Sequence, residues 1–228
     1  MRMKRFGCAL LALVLAAGLW GCNAAGTAGS GGSMSIQPAQ LTAEEEALAA
    51  LLDVNMDSYR IFDFVAGTGK EKEGEGVQSV QLTLYELEDN EWTVKARSQK
   101  AFSDAKGRVA LSFGKITEGV TMTFQSENAF DSMALDKITE AGTASMSYTT
   151  SILTEAAGME LEQETPLAIQ IVTSKSDIQS YGVQYFEMPR EYAKHGYEHV
   201  YAVTVMFSGK TVYELVDNAA NPTASPEP

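Results

Sequence analysis

Residues 108–125 read RVALSFGKITEGVTMTFQ, and this stretch decides the fold class. Val109, Leu111 and Phe113 alternate with Ala110 and Ser112, and Val120, Met122 and Phe124 alternate with Thr121 and Thr123. A period of two is the signature of a strand with one buried face and one solvated face. Lys115 to Gly119 between the two runs is turn chemistry, so the stretch predicts two strands joined by a short connection.

The same signals extend in both directions. Val80, Leu82 and Leu84 repeat the alternation, and strands are predicted over 59–65, 77–87, 92–96, 109–113, 120–125, 143–150, 167–173, 178–186, 199–207 and 211–216. Turn residues separate them at Asp89-Asn90, at Asp104-Ala105-Lys106-Gly107 and at the two-residue hairpin Gly209-Lys210. One short helix precedes the strands. Thr42 is its N-cap and Glu45 completes a capping box, while Leu48, Leu51 and Leu52 share one face before Asn55 and Asp57 close it. Many short strands with almost no long helix predict an all-β, two-sheet sandwich with a short N-terminal helix. A jelly roll and an immunoglobulin-like arrangement both satisfy that pattern.

Composition narrows the function classes. The chain has 228 residues, 45% of them hydrophobic, enough for a real core. Thirty acidic groups against 17 basic ones give a net charge of −13, which argues against nucleic acid as a partner. No apolar run reaches the roughly 18–20 residues that span a bilayer as a helix.

The N-terminus points to a compartment. Arg2, Lys4 and Arg5 precede an almost unbroken apolar stretch from Phe6 to Trp20, the pattern of an export signal. It ends in Leu19-Trp20-Gly21-Cys22, which resembles the lipobox of bacterial lipoproteins. The resemblance implies a signal peptide over 1–21, cleavage before Cys22, and a diacylglycerol thioether on that cysteine. The product would sit on the extracytoplasmic face of the cell membrane, held by its lipid. Trp20 departs from the usual small residue at its position. Cys8 lies inside the leader, so Cys22 would be the only cysteine retained, which leaves no internal disulfide and no cysteine-based zinc site. Loss of the three leader cations would make the protein more acidic still and less attracted to anionic lipid.

Residues 22–40 are small, polar and glycine-rich after the cysteine, a tether of roughly 20–25 Å as a flexible coil. The sandwich is expected over 41–217. The segment 218–228, NAANPTASPEP, reads as a disordered tail. Ser103 to Arg108 followed by Ile116-Thr117-Glu118-Gly119 faintly resembles the Asp…Gly…Gly pattern of prealbumin-like Greek-key domains on bacterial surfaces. The overall pattern is also similar to that of lipoproteins of anaerobic Gram-positive bacteria, a resemblance that implies no activity.

Motifs with catalytic letters are weakly supported. His195-Gly196-Tyr197-Glu198-His199 matches H-x-x-E-H, in which two histidines on one helix face hold zinc. Pro189 and Gly196 instead predict a short helix over 189–195 that stops between them, followed by a strand. Gly67-Thr68-Gly69-Lys70 lacks both the first glycine and the hydroxyl residue of a phosphate loop. No G-x-S-x-G elbow accompanies the two histidines. Carboxylate pairs such as Glu86/Glu88 and Glu187/Glu191 read as solvated faces, and Asp89/Glu91 and Glu127/Asp131 lack EF-hand spacing. No metal site, catalytic residue or cofactor is assigned.

Aromatic density is the strongest local signal. Tyr181, Tyr185, Phe186, Tyr192, Tyr197 and Tyr201 crowd together, flanked by Glu187, Arg190 and Glu191. Tyr181 and Tyr185 would share one strand face, as would Tyr197 and Tyr201. The five tyrosines are candidates for a platform that stacks on sugar rings or grips a protein, and equally for rings that cap the end of the core. Trp92 reads as core. The expectation is a membrane-anchored, non-catalytic binding module for a glycan or protein. The alternative is a small hydrolase, either glycan-acting or using a metal on His195 and His199.

Overall fold

The alternating stretch at 108–125 forms the centre of one of two antiparallel sheets. The computed structural model describes residues 34–51, 58–67, 76–126, 130–138 and 146–220, all within one unit, Gly32–Pro228. The leader, Cys22, most of the tether, residues 68–70 of the glycine loop, Leu52, Asn55, Asp57, Glu127 and 221–228 lie outside the described residues.

The elements run β1 (Ser35–Pro38), α1 (Ala43–Leu51), β2 (Tyr59–Val65), β3 (Ser79–Glu88), β4 (Glu91–Ala101), β5 (Lys106–Phe113), β6 (Val120–Gln125), β7 (Phe130–Leu135), β8 (Ser147–Ile152), β9 (Ala157–Gly158), β10 (Thr165–Thr173), α2 (Pro189–Ala193), β11 (His199–Ser208) and α3 (Val212–Ala220). The first sheet has the order β7-β6-β5-β2-β1-β9 and the second β4-β3-β11-β10-β8. The expected all-β, two-sheet sandwich with a short N-terminal helix is the observed fold. Among the described residues no helix is long and apolar enough to cross a membrane.

Local chemistry explains the turns. Asp89 and Asn90 both adopt positive φ, 50° and 70°, as a tight hairpin between β3 and β4 requires. Gly119 has φ 111°, which lets β6 start directly after a 3₁₀ turn at Ile116–Glu118. At Gly107 a Cβ would lie 2.4 Å from the Gln125 carbonyl oxygen, so only glycine lets β5 approach β6 there.

The core lies between the sheets. Phe62, Phe64, Val109, Leu111, Phe113, Met122 and Phe124 point inward from the first sheet, and Val80, Leu82, Leu84, Val203, Val205 and Phe207 from the second. Phe64 and Phe207 meet across the gap at 5.1 Å between ring centroids, and Phe102 bridges Phe124 and Phe207. Gln170, on the same face as Tyr201, crosses the gap as a polar strut. It accepts from the Ile116 N–H at 2.8 Å and donates to the Gly114 carbonyl at 2.9 Å and the Thr150 hydroxyl at 2.8 Å.

Several expectations are corrected. Residues 35–38 of the proposed tether are β1, with Ile36 fully buried against the core. Residues 211–216 are not a strand; α3 begins at Val212, and Thr211 and Glu214 form a capping box at its start. Residues 178–186 are not a strand either, and Val183–Glu187 is a 3₁₀ turn. β7 and β9 were not anticipated. The capping box of α1 is present, with the Thr42 N–H donating to Glu45 at 2.7 Å. Its leucine face, however, is not buried: Leu48 is 55% and Leu51 81% exposed. Arg108 holds this helix instead, donating to both Glu45 and Asp63.

Candidate functional site

The three central strands of the second sheet, β3, β11 and β10, are buried on both faces. β11 and β10 carry apolar residues at nearly every position, and their outward side chains include Ile169, Ile171, Val200 and Ala202. The segment 174–198, leaving β10 and returning to β11, lies over that outer face. It is pinned at several points. The Trp92 Nε1–H donates to the Phe186 carbonyl at 2.7 Å, and the indole stacks on Phe186 at 5.2 Å. Tyr85 meets the edge of Phe186, and Tyr192 the edge of Trp92. The Tyr197 hydroxyl accepts from the Gln179 N–H and donates to the Gln179 carbonyl. At the stems, the Thr173 and Ser174 hydroxyls donate to Glu198, and the Ser174 N–H adds a bond at 3.3 Å.

The five candidate tyrosines therefore do not form a platform. Tyr192 is 1% and Tyr201 0% exposed, so neither can stack on a ligand. Tyr201 lies on the inner face of β11, on the other side of the sheet from the covering segment. Burial pushes the Tyr192 phenol well above its ordinary value, with the neighbouring Tyr181 and Tyr185 adding to the effect. Tyr181 and Tyr185 are half-buried and stack on each other at 4.6 Å, and Tyr197 stacks on His195 at 5.3 Å. That stacking occupies one face of each ring, and the Lys175 ammonium lies over Tyr197. The cluster caps the core, because an apolar outer sheet face has to be covered. Trp92 belongs to this cover rather than to the inter-sheet core.

The two histidines go separate ways. α2 is Pro189–Ala193, and Gly196, at φ 57°, turns the chain before the second histidine, so no continuous helix joins them. His195 sits in the covering layer, its Nε2 2.7 Å from the Tyr181 hydroxyl. His199 opens β11 on the inner face, stacked on Tyr201, with Nδ1 2.8 Å from the buried Glu86 carboxylate. A carboxylate only accepts, so Nδ1 is the donor. The Lys95 ammonium reaches Glu86 at 2.6 Å and Glu88 at 2.9 Å, and those hydrogen bonds hold its pKa well above the usual lysine range. The H-x-x-E-H letters thus bring the two histidines to no shared site, which leaves the alternative of a metal held by His195 and His199 without its geometry. Among the described residues no group of three His, Cys, Asp or Glu side chains is placed to hold a metal ion.

A site that the sequence did not reveal lies beside the cover. Glu164, in the turn before β10, lays its carboxylate on the outer face of β3 and β11. Oε1 accepts from Gln81 Nε2 at 3.0 Å, the Thr83 hydroxyl at 3.1 Å and the Tyr85 hydroxyl at 3.2 Å, and Oε2 accepts from the Thr204 hydroxyl. Burial, followed by the Glu164 charge, pushes the Tyr85 phenol up to about 12. Glu164 also lines a cleft of about 580 Å³. Three stretches of chain line it: Ile152 to Gly158, Gln163 to Pro166, and Gly182 to Gln184 with Glu187. The lining is half polar, rich in acceptors, and contains no aromatic ring.

The sequence does not mark this site. Gln81 and Thr83 alternate with Val80, Leu82 and Leu84 and read as a solvated strand face, yet both are buried in the structure, where they hold the Glu164 carboxylate. That partner lies about eighty residues away, so no local pattern identifies it. Comparison of the chain with family models, curated proteins and solved structures found no match.

Proposed function

We propose that this protein is a lipid-anchored, extracytoplasmic binding module whose sandwich holds a protein partner in the cleft beside Glu164. The observation that carries the binding reading is the pre-assembled carboxylate. Four donors fix it in one orientation at the edge of a cleft large enough for a side chain and its flanking backbone. Such preorganisation lowers the ordering cost of binding. Glu155, Gln163, Gln184 and Glu187 add acceptors, which favours a donor-rich segment carrying lysine or arginine. A glycan is less favoured because no ring is offered for stacking. The anchor rests on Leu19-Trp20-Gly21-Cys22 alone. Two or more acyl chains on Cys22 would retain the protein at a membrane that its own acidic surface does not attract.

The anchor and the cleft are tested separately. Mass spectrometry of the mature N-terminus should find an acylated Cys22, and an unmodified terminus would end the anchor reading. A peptide array probed with the protein should return basic ligands whose affinity falls about tenfold, ~1.4 kcal/mol, in Glu164→Gln. An array without ligands, or ligands indifferent to that substitution, would end the cleft reading.

A further inference from the structure

The ends of the two sheets are defended unequally. β4, one edge of the second sheet, carries Glu91, Lys95, Arg97 and Lys100 and a register shift opposite Leu84 and Tyr85. Lys100 also reaches across to Asp131 and to the Ser132 carbonyl of β7, tying together the two edges on that side. Charge, a bulge and a cross-link are all devices that keep an edge from pairing with another chain. β9, an edge of the first sheet, offers only two residues.

β8 has none of these devices. Ser147-Tyr148-Thr149-Thr150-Ser151-Ile152 contains no charge, proline or glycine, and it pairs with β10 without a bulge. The hydrogen-bond phase of that pair is fixed at its end, where the Leu153 N–H donates to the Leu167 carbonyl at 2.9 Å. Antiparallel ladders alternate, so Ser147, Thr149 and Ser151 also bond to β10, while Tyr148, Thr150 and Ile152 turn their N–H and C=O groups to the outer edge, where no strand among the described residues pairs with them. Those three residues share the inner face with Gln170 and Val172.

We propose that β8 pairs with β8 of a second copy of this chain, joining two five-stranded sheets into one ten-stranded sheet across a twofold axis at Thr150. Three features select a second copy over an unrelated strand. The register is self-complementary: Thr150 faces Thr150, and Tyr148 faces Ile152, so all three outward-turned residues fall in hydrogen-bonded pairs. The side chains agree as well, since each pair joins inner face to inner face. An aromatic ring that is 52% exposed in the single chain gains a β-branched cross-strand neighbour. Finally, a chain of net charge −13 repels its own copy almost everywhere, and an uncharged edge is where two copies meet with least repulsion. A six-residue edge buries less surface than a permanent dimer needs, so the association is weak and concentration-dependent.

Sedimentation of the full chain over a rising concentration series tests this, with Tyr148→Pro as the probe. Proline there deletes one outward N–H and one ring and leaves the β10 ladder intact. The expected result is a sedimentation coefficient that climbs toward the dimer in the native chain and stays at the monomer in Tyr148→Pro, with an unchanged thermal midpoint. Tyr148→Lys serves if the proline variant unfolds, and it should weaken association at least tenfold. A monomer at every concentration overturns the proposal. So does a dimer indifferent to both substitutions, which places the contact elsewhere, or association only after an unrelated extended peptide is added.

Discussion

The two sheets solve different burial problems. In the first sheet β5 and β6 alternate between buried and solvated positions, because only one of its faces has a partner. In the second sheet β10 and β11 are buried at nearly every position, because the core lies on one side and segment 174–198, together with the turn that carries Glu162 and Glu164, on the other. A continuous apolar run is what a strand enclosed on both faces requires. The difference locates the features that set this protein apart. The carboxylate cradle, the aromatic cover and the open edge belong to the second sheet, and the cleft lies between its β8–β10 end and β9 of the first. The first sheet is a plain half of a sandwich, joined to the second by the ring cluster around Phe102 and by Gln170.

The sharpest way to break this contrast is to attack the cover. If segment 174–198 is a true third layer, Tyr192 belongs to the core as fully as Phe113 does. Tyr192→Ala should then cost about 3–5 kcal/mol in urea unfolding, the range for a buried aromatic cut to alanine. Phe113→Ala should cost a similar amount. A loss below about 1 kcal/mol for Tyr192→Ala, beside a full loss for Phe113→Ala, would show the cover to be a detachable flap.

The contrast also explains what was legible in the sequence. Strands with one solvated or polar face declare themselves by alternation, as β5 and β6 of the first sheet and β3 of the second do. Residues 59–65, 109–113 and 120–125 stand close to where they were expected, whereas the short edge strands β7 and β9 were not anticipated. β10 and β11 were readable as apolar runs bounded by turns. The cover was not, because Ile178 to Phe186 has strand-like composition but packs by its rings, and a third layer leaves no periodic mark. β1 was hidden because four residues after a glycine-rich stretch carry no pattern beyond Ile36. α3 was missed despite a visible signal: Thr211 and Glu214 repeat the capping-box spacing read at Thr42 and Glu45. The β-branched and aromatic letters Thr211-Val212-Tyr213 outweighed it. Glu164 was invisible because its partners are assembled by folding.

A smaller effect probes the link between the sheets. Gln170→Leu keeps the volume of the side chain but strands the Ile116 N–H and the Gly114 carbonyl away from water. Each such orphan costs about 1–3 kcal/mol, so a loss of about 2–3 kcal/mol is expected in denaturant unfolding. Hydrogen exchange should rise first at Ile116, in the turn between β5 and β6, rather than in the cover. A neutral or stabilised Gln170→Leu would mean that the strut is replaceable by packing and that the sheets need no polar tie.

The smallest effect separates cover from sheet by pH. Glu198 clasps the two stems of segment 174–198, and the Ser174 hydroxyl, then the Thr173 hydroxyl, hold its carboxyl down at about 2 from an ordinary 4.5. The folded value lies below the unfolded one, so the clasp contributes fully above the ordinary carboxylate range. Its contribution declines as the pH falls through that range and is gone once the pH passes about 2. The group is exposed, so solvent screens it and the change in global stability is slight. The informative readout is local. A carboxyl carbon titration should place the Glu198 midpoint near 2, and Glu198→Gln should speed amide exchange at residues 174–198 at neutral pH while β5 and β6 stay protected. A midpoint at the ordinary value, or exchange rising equally in both sheets, would show that the stems are held by packing alone and that the third layer needs no clasp.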